Sequence, residues 1–274
     1  MNLLKPWALL LALALISLML PFAAAAQQEE LSEEEEEAAW LAQVELGEKY
    51  YNVNCRLCHG QKGDGKGHVS VIQYAEKNGR VLKTYPRDFT SGLYRFRSTA
   101  TGCLPDDVDL KNIIKGGIVT SFMPPQEGIS EEDLAAVAEY IKTYSERFEE
   151  EDLCDVIVAS RPDYVASPKS IDRGKVVYNN MKCWECHGYE GTGDGPKAAD
   201  IKDDWGNKLL PFNFITGALK RGSTPENIYM TFTAGLDGTG MPSYEDSLDE
   251  QSRWDLVSYT LKLMGLTKPE EEKH

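Results

Sequence analysis

Two five-residue stretches, Cys55-Arg-Leu-Cys58-His59 and Cys183-Trp-Glu-Cys186-His187, place a pair of thiols and an imidazole at one fixed spacing. On a single helical turn the two thiols project to the same side, and the adjacent histidine is carried beneath them. That is the attachment sequence for c-type haem: each thiol adds to a vinyl group of the flat macrocycle, and the imidazole ligates the iron. Cys55, Cys58, Cys183 and Cys186 are therefore candidate attachment residues, and His59 and His187 candidate iron ligands, for two covalently bound haems. A zinc site wants four ligands in a tetrahedron, for which a histidine abutting the second cysteine is poor geometry. A thioredoxin-like pair wants a preceding strand, whereas the segments upstream read as helical.

A haem iron held by histidine has a sixth position, whose occupant decides between electron transfer and catalysis. Met123 in Phe-Met-Pro-Pro and Met241 in Gly-Met-Pro-Ser both follow a glycine-containing loop and precede a closing helix. A thioether is soft and favours Fe(II), so these two are the candidate axial ligands. Met181, Met230 and Met264 read as core packing. His68 reads as solvent-facing, with an iron-ligand role as the alternative, and His274 as part of a loose terminus. Gly63-Asp-Gly65 and Gly193-Asp-Gly195 lack the Lys-Ser/Thr of a phosphate loop and more plausibly bend the backbone beneath the haem. Arg87, Arg95 and Arg97 suit either a haem propionate or surface salt bridges.

The elements that must position these residues occur twice. Gly47-x-x-Tyr50 before the first motif parallels Gly174-x-x-x-Tyr178 before the second. Pro86-Arg-Asp-Phe89 parallels Pro211-Phe-Asn-Phe214, and Ser98-Thr99 parallels Ser223-Thr224. Gly117 with Met123-Pro124 parallels Gly235 with Met241-Pro242. The offset drifts from 128 at the cysteines to 118 at the methionines, which marks a tandem duplication with loop changes. Each half closes with a helix-period run, one opened by Ser130-Glu-Glu-Asp133 and the other by Ser247-Leu-Asp-Glu250, the second in capping-box form. Shorter helices fit Asp106–Lys115 and Pro225–Thr233. No stretch alternates convincingly at period two, so the expected class is all-α. The expected organisation is a signal segment 1–26, an acidic segment 27–40, domains at 41–150 and 169–268, a linker 151–168 and a tail 269–274. Glu29–Glu37 holds seven Glu in nine positions, a block ordinarily solvated and mobile, although Ser32 could cap a helix there.

With 29 Lys plus Arg against 44 Asp plus Glu, the net charge of −15 disfavours nucleic acid or anionic lipid and suits a basic redox partner. Lys5, the apolar run Trp7–Leu20 and Ala23–Ala26 read as a cleavable export signal, with an uncleaved membrane anchor as the alternative. The destination is periplasmic or otherwise outside the cytoplasm. Six Cys in 274 residues are too few to staple a small fold. The two outside the motifs, Cys103 and Cys154, suit a disulfide tying the linker back to the first domain; the rival is Cys103 as a haem thiolate ligand.

The order of helix, attachment motif, Met-Pro loop and closing helix resembles the class I cytochrome c family, twice over, and covers nearly all of 41–150 and 169–268. The resemblance rests on Cys55, Cys58, His59 and Met123, and on Cys183, Cys186, His187 and Met241. It implies two tandem cytochrome c-like domains, each wrapped around one haem. The arrangement is similar to dihaem cytochromes that pass electrons to or from periplasmic oxidoreductases. Other functions to weigh are a dihaem peroxidase or sulfur-compound dehydrogenase, and a haem-bearing subunit of a membrane-bound reductase. Gly67–Thr84 is long for the family and is expected to alter access to the first haem's edge.

Overall fold

A computed structural model of the chain describes residues 32–75, 79, 81–216 and 219–267. The export segment 1–26, the start of the acidic block and the tail with His274 lie outside the described residues. The chain divides into two compact units, Met1–Ala39 and Trp40–His274. The described part of the first is the beginning of helix α1 (Glu33–Asn54). Ser32 caps it: its main-chain N–H and its hydroxyl both donate to Glu35 Oε2 at 2.9 Å. The acidic run is thus helical from Glu33, with four glutamates in the first turn where the helix dipole favours negative charge.

Within Trp40–His274 the same helical plan occurs twice. The first half contains α1, the single turn α2 (Arg56–His59), α3 (Asp107–Gly116) and α4 (Glu131–Lys142). The short helix α5 (Arg147–Glu150) leads to the connection. The second half contains α6 (Pro168–Asn180), α7 (Trp184–His187), α8 (Pro225–Ala234) and α9 (Glu250–Leu263). The caps explain the starts. Asp106 forms a reciprocal capping box with Asp109, Thr224 accepts from Asn227 N, and Ser130 accepts from Asp133 N. The last helix departs from the sequence reading: its cap is Asp249, which accepts from Ser252 N at 2.7 Å, rather than Ser247.

Glycine sets how the N-terminal and C-terminal helices of each half cross. A Cβ on Gly47 would lie 2.0 Å from the Ala136 carbonyl oxygen, and one on Gly174 would lie 1.9 Å from that of Asp255. Beside each crossing a tyrosine pair closes at 5.3 Å between ring centroids, Tyr51 with Tyr140 and Tyr178 with Tyr259. The repeating tyrosine is therefore Tyr51, not Tyr50, whose hydroxyl goes to Gln126 at 2.9 Å. Tyr51, Leu134, Val137 and Ile141 centre one core; Tyr178, Trp254, Val257 and Leu261 centre the other.

One feature escaped the helical expectation. Strands β1 (Ile72–Ala75) and β2 (Val81–Thr84) form an antiparallel pair, with Tyr74 opposite Leu82, inside the long segment of the first half. At four residues each, the strands are too short for alternation to stand out in a sequence.

The halves are joined by buried charge. Arg97, fully buried, pairs with Asp237 at 2.9 Å and donates to the carbonyls of Tyr94, Ala100 and Ala234. In return Arg221 donates to the Arg97 carbonyl at 2.6 Å and faces Asp109 at 3.6 Å. Cys103 and Cys154 form the disulfide, and Ile157 N donates to Ser98 O at 2.7 Å, so the connection is fastened to the first half. Two outcomes are expected. Gly174→Ala loses about 2 kcal/mol or more in chemical denaturation, because its neighbour is backbone. Asp237→Ala loses about 3 kcal/mol, because Arg97 is left charged and buried.

Candidate cofactor site

Each motif begins where its first helix ends. Cys55 and Cys183 precede α2 and α7, and the histidine N–H groups close the turn onto them: His59 N to Cys55 O at 3.0 Å and His187 N to Cys183 O at 2.9 Å. The turn is then held in place from outside. Tyr51 donates to Gly60 O at 2.7 Å, and Tyr178 to Gly188 O at 2.6 Å.

The glycine loop that follows is fixed from the backbone. Gly65 N donates to His59 O at 2.9 Å and Gly193 N to His187 O at 2.7 Å; Gly67 and Gly195 donate to Cys58 O and Cys186 O, both at 3.1 Å. This pairing corrects the alignment of the repeat: Gly63 corresponds to Gly191, and the two Gly-Asp-Gly triplets are not equivalent. A buried phenylalanine follows, with Phe89 N donating to Gly63 O at 2.7 Å and Phe214 N to Gly191 O at 2.8 Å.

Those phenylalanines position the imidazoles. Phe89 stacks on His59 at 4.6 Å and Phe214 on His187 at 4.8 Å. His59 Nδ1 lies 3.1 Å from Arg87 O, and His187 Nδ1 lies 3.1 Å from Phe212 O. A carbonyl only accepts, so in each case Nδ1–H donates and Nε2 keeps its lone pair. Burial also lowers both histidines' pKa, which favours the neutral ring that a metal requires.

The thiols show the complementary trend. Burial pushes Cys55 and Cys183 up to about 11. Both are therefore neutral thiols at ordinary pH and poor thiolate ligands for a free metal ion. Among the described residues, no three of His, Cys, Asp or Glu gather as a metal-ion cage. Two neighbouring thiols and one imidazole with Nε2 free to ligate, built twice, fit a macrocycle that brings its own iron.

In the second half the site residues meet. Cys183, Cys186, His187 and Met241 line one cavity of about 1300 Å³, ample beside the roughly 300–1,000 Å³ typical of ligand pockets. Met181, read as core from sequence, lines it too. Met241 is fixed by a bridge with Leu236, Leu236 N to Met241 O at 3.0 Å, and by its own N–H to Thr239 Oγ1 at 3.1 Å. Met123 is fixed by the same bridge with Ile118, at 2.9 and 3.2 Å. The preceding Phe122 has φ of 61°, a left-handed conformation that a bulky residue adopts at a cost.

Sequence reasoning missed the contribution of the first half to the second half's cavity. Tyr74, Leu82, Arg95 and Phe122 all line it. The long segment thus reaches the second half's site, whereas an effect on the first had been expected. The arginines are not surface pairs: Arg97 is the buried staple described above. Arg95 meets Asp203 at 3.2 Å, and Arg87 lies over the Trp205 ring at 4.8 Å. His68 is exposed, as expected. The disulfide takes Cys103 out of contention as a ligand.

Residues 171–263 match the family described as cytochrome c, and residues 42–141 match cytochrome c oxidase, cbb3-type, subunit III. A curated relative, the cbb3-type cytochrome c oxidase subunit CcoP of Azospirillum brasilense, is 27% identical over 221 residues. That match covers 80% of this chain but only 61% of the relative. A chain from the reducing HAO-like protein complex of Kuenenia stuttgartiensis aligns with a TM-score of 0.74 and 37% identity, covering 80% of this chain and 96% of that one.

Because Tyr51 and Tyr178 hold the motif turns through one buried bond each, Tyr51→Phe and Tyr178→Phe should each cost about 1 kcal/mol in denaturant titration, with the slope unchanged.

Proposed function

This chain belongs to the dihaem class I c-type cytochromes, and from that membership we propose that it is an exported electron carrier between redox proteins. His59 and Met123 would ligate one iron, and His187 and Met241 the other. The observation that carries this reading is the imidazole seat built twice, with Nδ1 given to a main-chain carbonyl at 3.1 Å in both halves. Each haem, when bound, supplies an iron that takes up and gives back one electron.

The protein's own residues do the rest. Cys55 and Cys58, and Cys183 and Cys186, would fasten the macrocycles. Phe89 and Phe214 fix the ring planes of the histidines. Gly117 and Gly235, with φ of 64° and 68°, let the Met-Pro segments lie directly against the ends of α3 and α8. Arg95, Lys220 and Arg221 line the second half's cavity and are placed to meet carboxylates of a bound haem. Burial, and then the nearby Arg95 and Arg87, pushes Lys220 down to about 8. The walls that the two halves share favour a relay between the haems over two independent docking points.

A second reading has one observation in its favour. The curated relative and the aligned structure are, by name, parts of larger assemblies, which supports this chain acting as a haem-bearing subunit that docks into a complex. Catalysis at one haem would need an open sixth position, and a high-spin spectrum would point to it.

Spectroelectrochemical titration of the parent beside Met123→Ala and Met241→Ala tests the ligand assignment. Each variant should lower one midpoint potential by a sizeable part of the roughly 0.8 V that axial ligands span. If neither midpoint falls, methionine is not the ligand.

A further inference from the structure

We infer that the β1–β2 hairpin of the first half is a wall of the second half's haem site, and that it controls how far solvent enters there. The inference rests on the proposed role of Cys183, Cys186, His187 and Met241 in holding that haem.

Three observations carry it. Tyr74 and Leu82 line the same cavity as His187 and Met241. They sit opposite one another in the strand register and are half-buried, and Ala75, Val81 and Lys83 line the cavity beside them, whereas Gln73 is exposed and takes no part in it. The Ala75–Val81 end of the hairpin thus meets the cavity along both of its faces, with Tyr74 and Leu82 as the half-buried pair. The hairpin is also anchored: the Tyr74 ring meets Phe122 edge-on at 5.0 Å, and its hydroxyl donates to Thr120 O at 3.5 Å. Thr120 and Phe122 line the cavity as well.

The exchange runs in both directions. The second half's corresponding loop carries Trp205, which lies beneath Arg87 of the first half. The Arg87 carbonyl is the group that holds His59. The second half thus touches, through the Arg87 side chain, the residue whose carbonyl seats His59. The first half's contribution is the more direct, because its side chains enter the cavity wall. A wall that keeps water from the iron disfavours its more highly charged oxidised form, so the hairpin raises the potential of the second site and slows entry of outside ligands.

The full-length haem-loaded protein tests this with Leu82→Asp and Leu82→Ala, and with Gln73→Ala as the outward-facing control. Cys183→Ala/Cys186→Ala, whose mass should fall by one haem, identifies which redox transition belongs to the second half. In the Leu82 variants that transition should shift to lower potential, and added imidazole should displace its axial ligand faster. The first half's midpoint and the Gln73 variant should match the parent. If both Leu82 variants fold, by circular dichroism, and leave midpoint and imidazole rate unchanged, the inference is overturned. The same holds if only the first half's midpoint moves. Retention of two haems by the double cysteine variant would instead overturn the underlying site assignment.

Discussion

An imidazole has two nitrogens, and committing one fixes the other. In each half Nδ1–H is spent on a main-chain carbonyl, Arg87 O or Phe212 O, at 3.1 Å. That bond sets the tautomer, stiffens the ring and leaves Nε2 as the basic nitrogen. The surrounding structure serves to bring that carbonyl to the right place. The carbonyl lies two residues before Phe89 or Phe214, whose N–H is tied to the glycine loop and whose ring stacks on the same histidine. The loop in turn is bonded to the carbonyls of the motif. Motif, loop and phenylalanine form a closed ring of constraints, and α1 and α6 anchor it through Tyr51 and Tyr178.

The buried contacts between the halves hold them in one arrangement, as the proposed relay requires. Arg97 is fully buried, yet its guanidinium meets one carboxylate and three carbonyls, so the cost of burying it is largely offset. Arg221 returns the contact to Asp109, the N3 partner in the capping box that opens α3. Since α3 and α8 run into the Met123 and Met241 loops, the staple fixes both methionine segments against one frame. Relative motion of the halves would strand buried charge, an expensive event in a low-dielectric interior.

The haem cofactors were legible in the sequence because the attachment motif is local. Cys-x-x-Cys-His spans one helical turn, and Met-Pro after a glycine marks its own loop. The helices were legible from caps and period, apart from the start of α9, where Asp249 outcompeted Ser247 as the N-cap. What failed was long-range. Tyr50 and Tyr51 are adjacent, and only the packing against Tyr140 shows which one repeats. The glycine triplets matched as letters, but their hydrogen bonds align Gly63 with Gly191. The destination of the β1–β2 segment was hidden for the same reason: nothing within 72–84 encodes which half it will face.

Charge divides the molecule into an inside and an outside. Buried carboxylates are met by guanidinium groups: Asp203 by Arg95, Asp237 by Arg97 and Asp255 by Arg173. Arg87 and Lys220 are further cations set apart from bulk water, and burial lowers the pKa of both. Among the described residues the buried charges are thus paired or positive, and the acids in excess lie exposed. The exposed glutamates of α1 and α4 show where some of them lie. A positive interior suits the carboxylates of a bound haem, while a negative exterior suits a basic protein surface. The first interaction is shielded from salt and the second is not, since screening at physiological ionic strength acts over about 8 Å of solvent. Charges of opposite sign thus face the cofactor carboxylates and the solvent, and added salt weakens whatever the exposed charges attract while leaving the buried pairs in place.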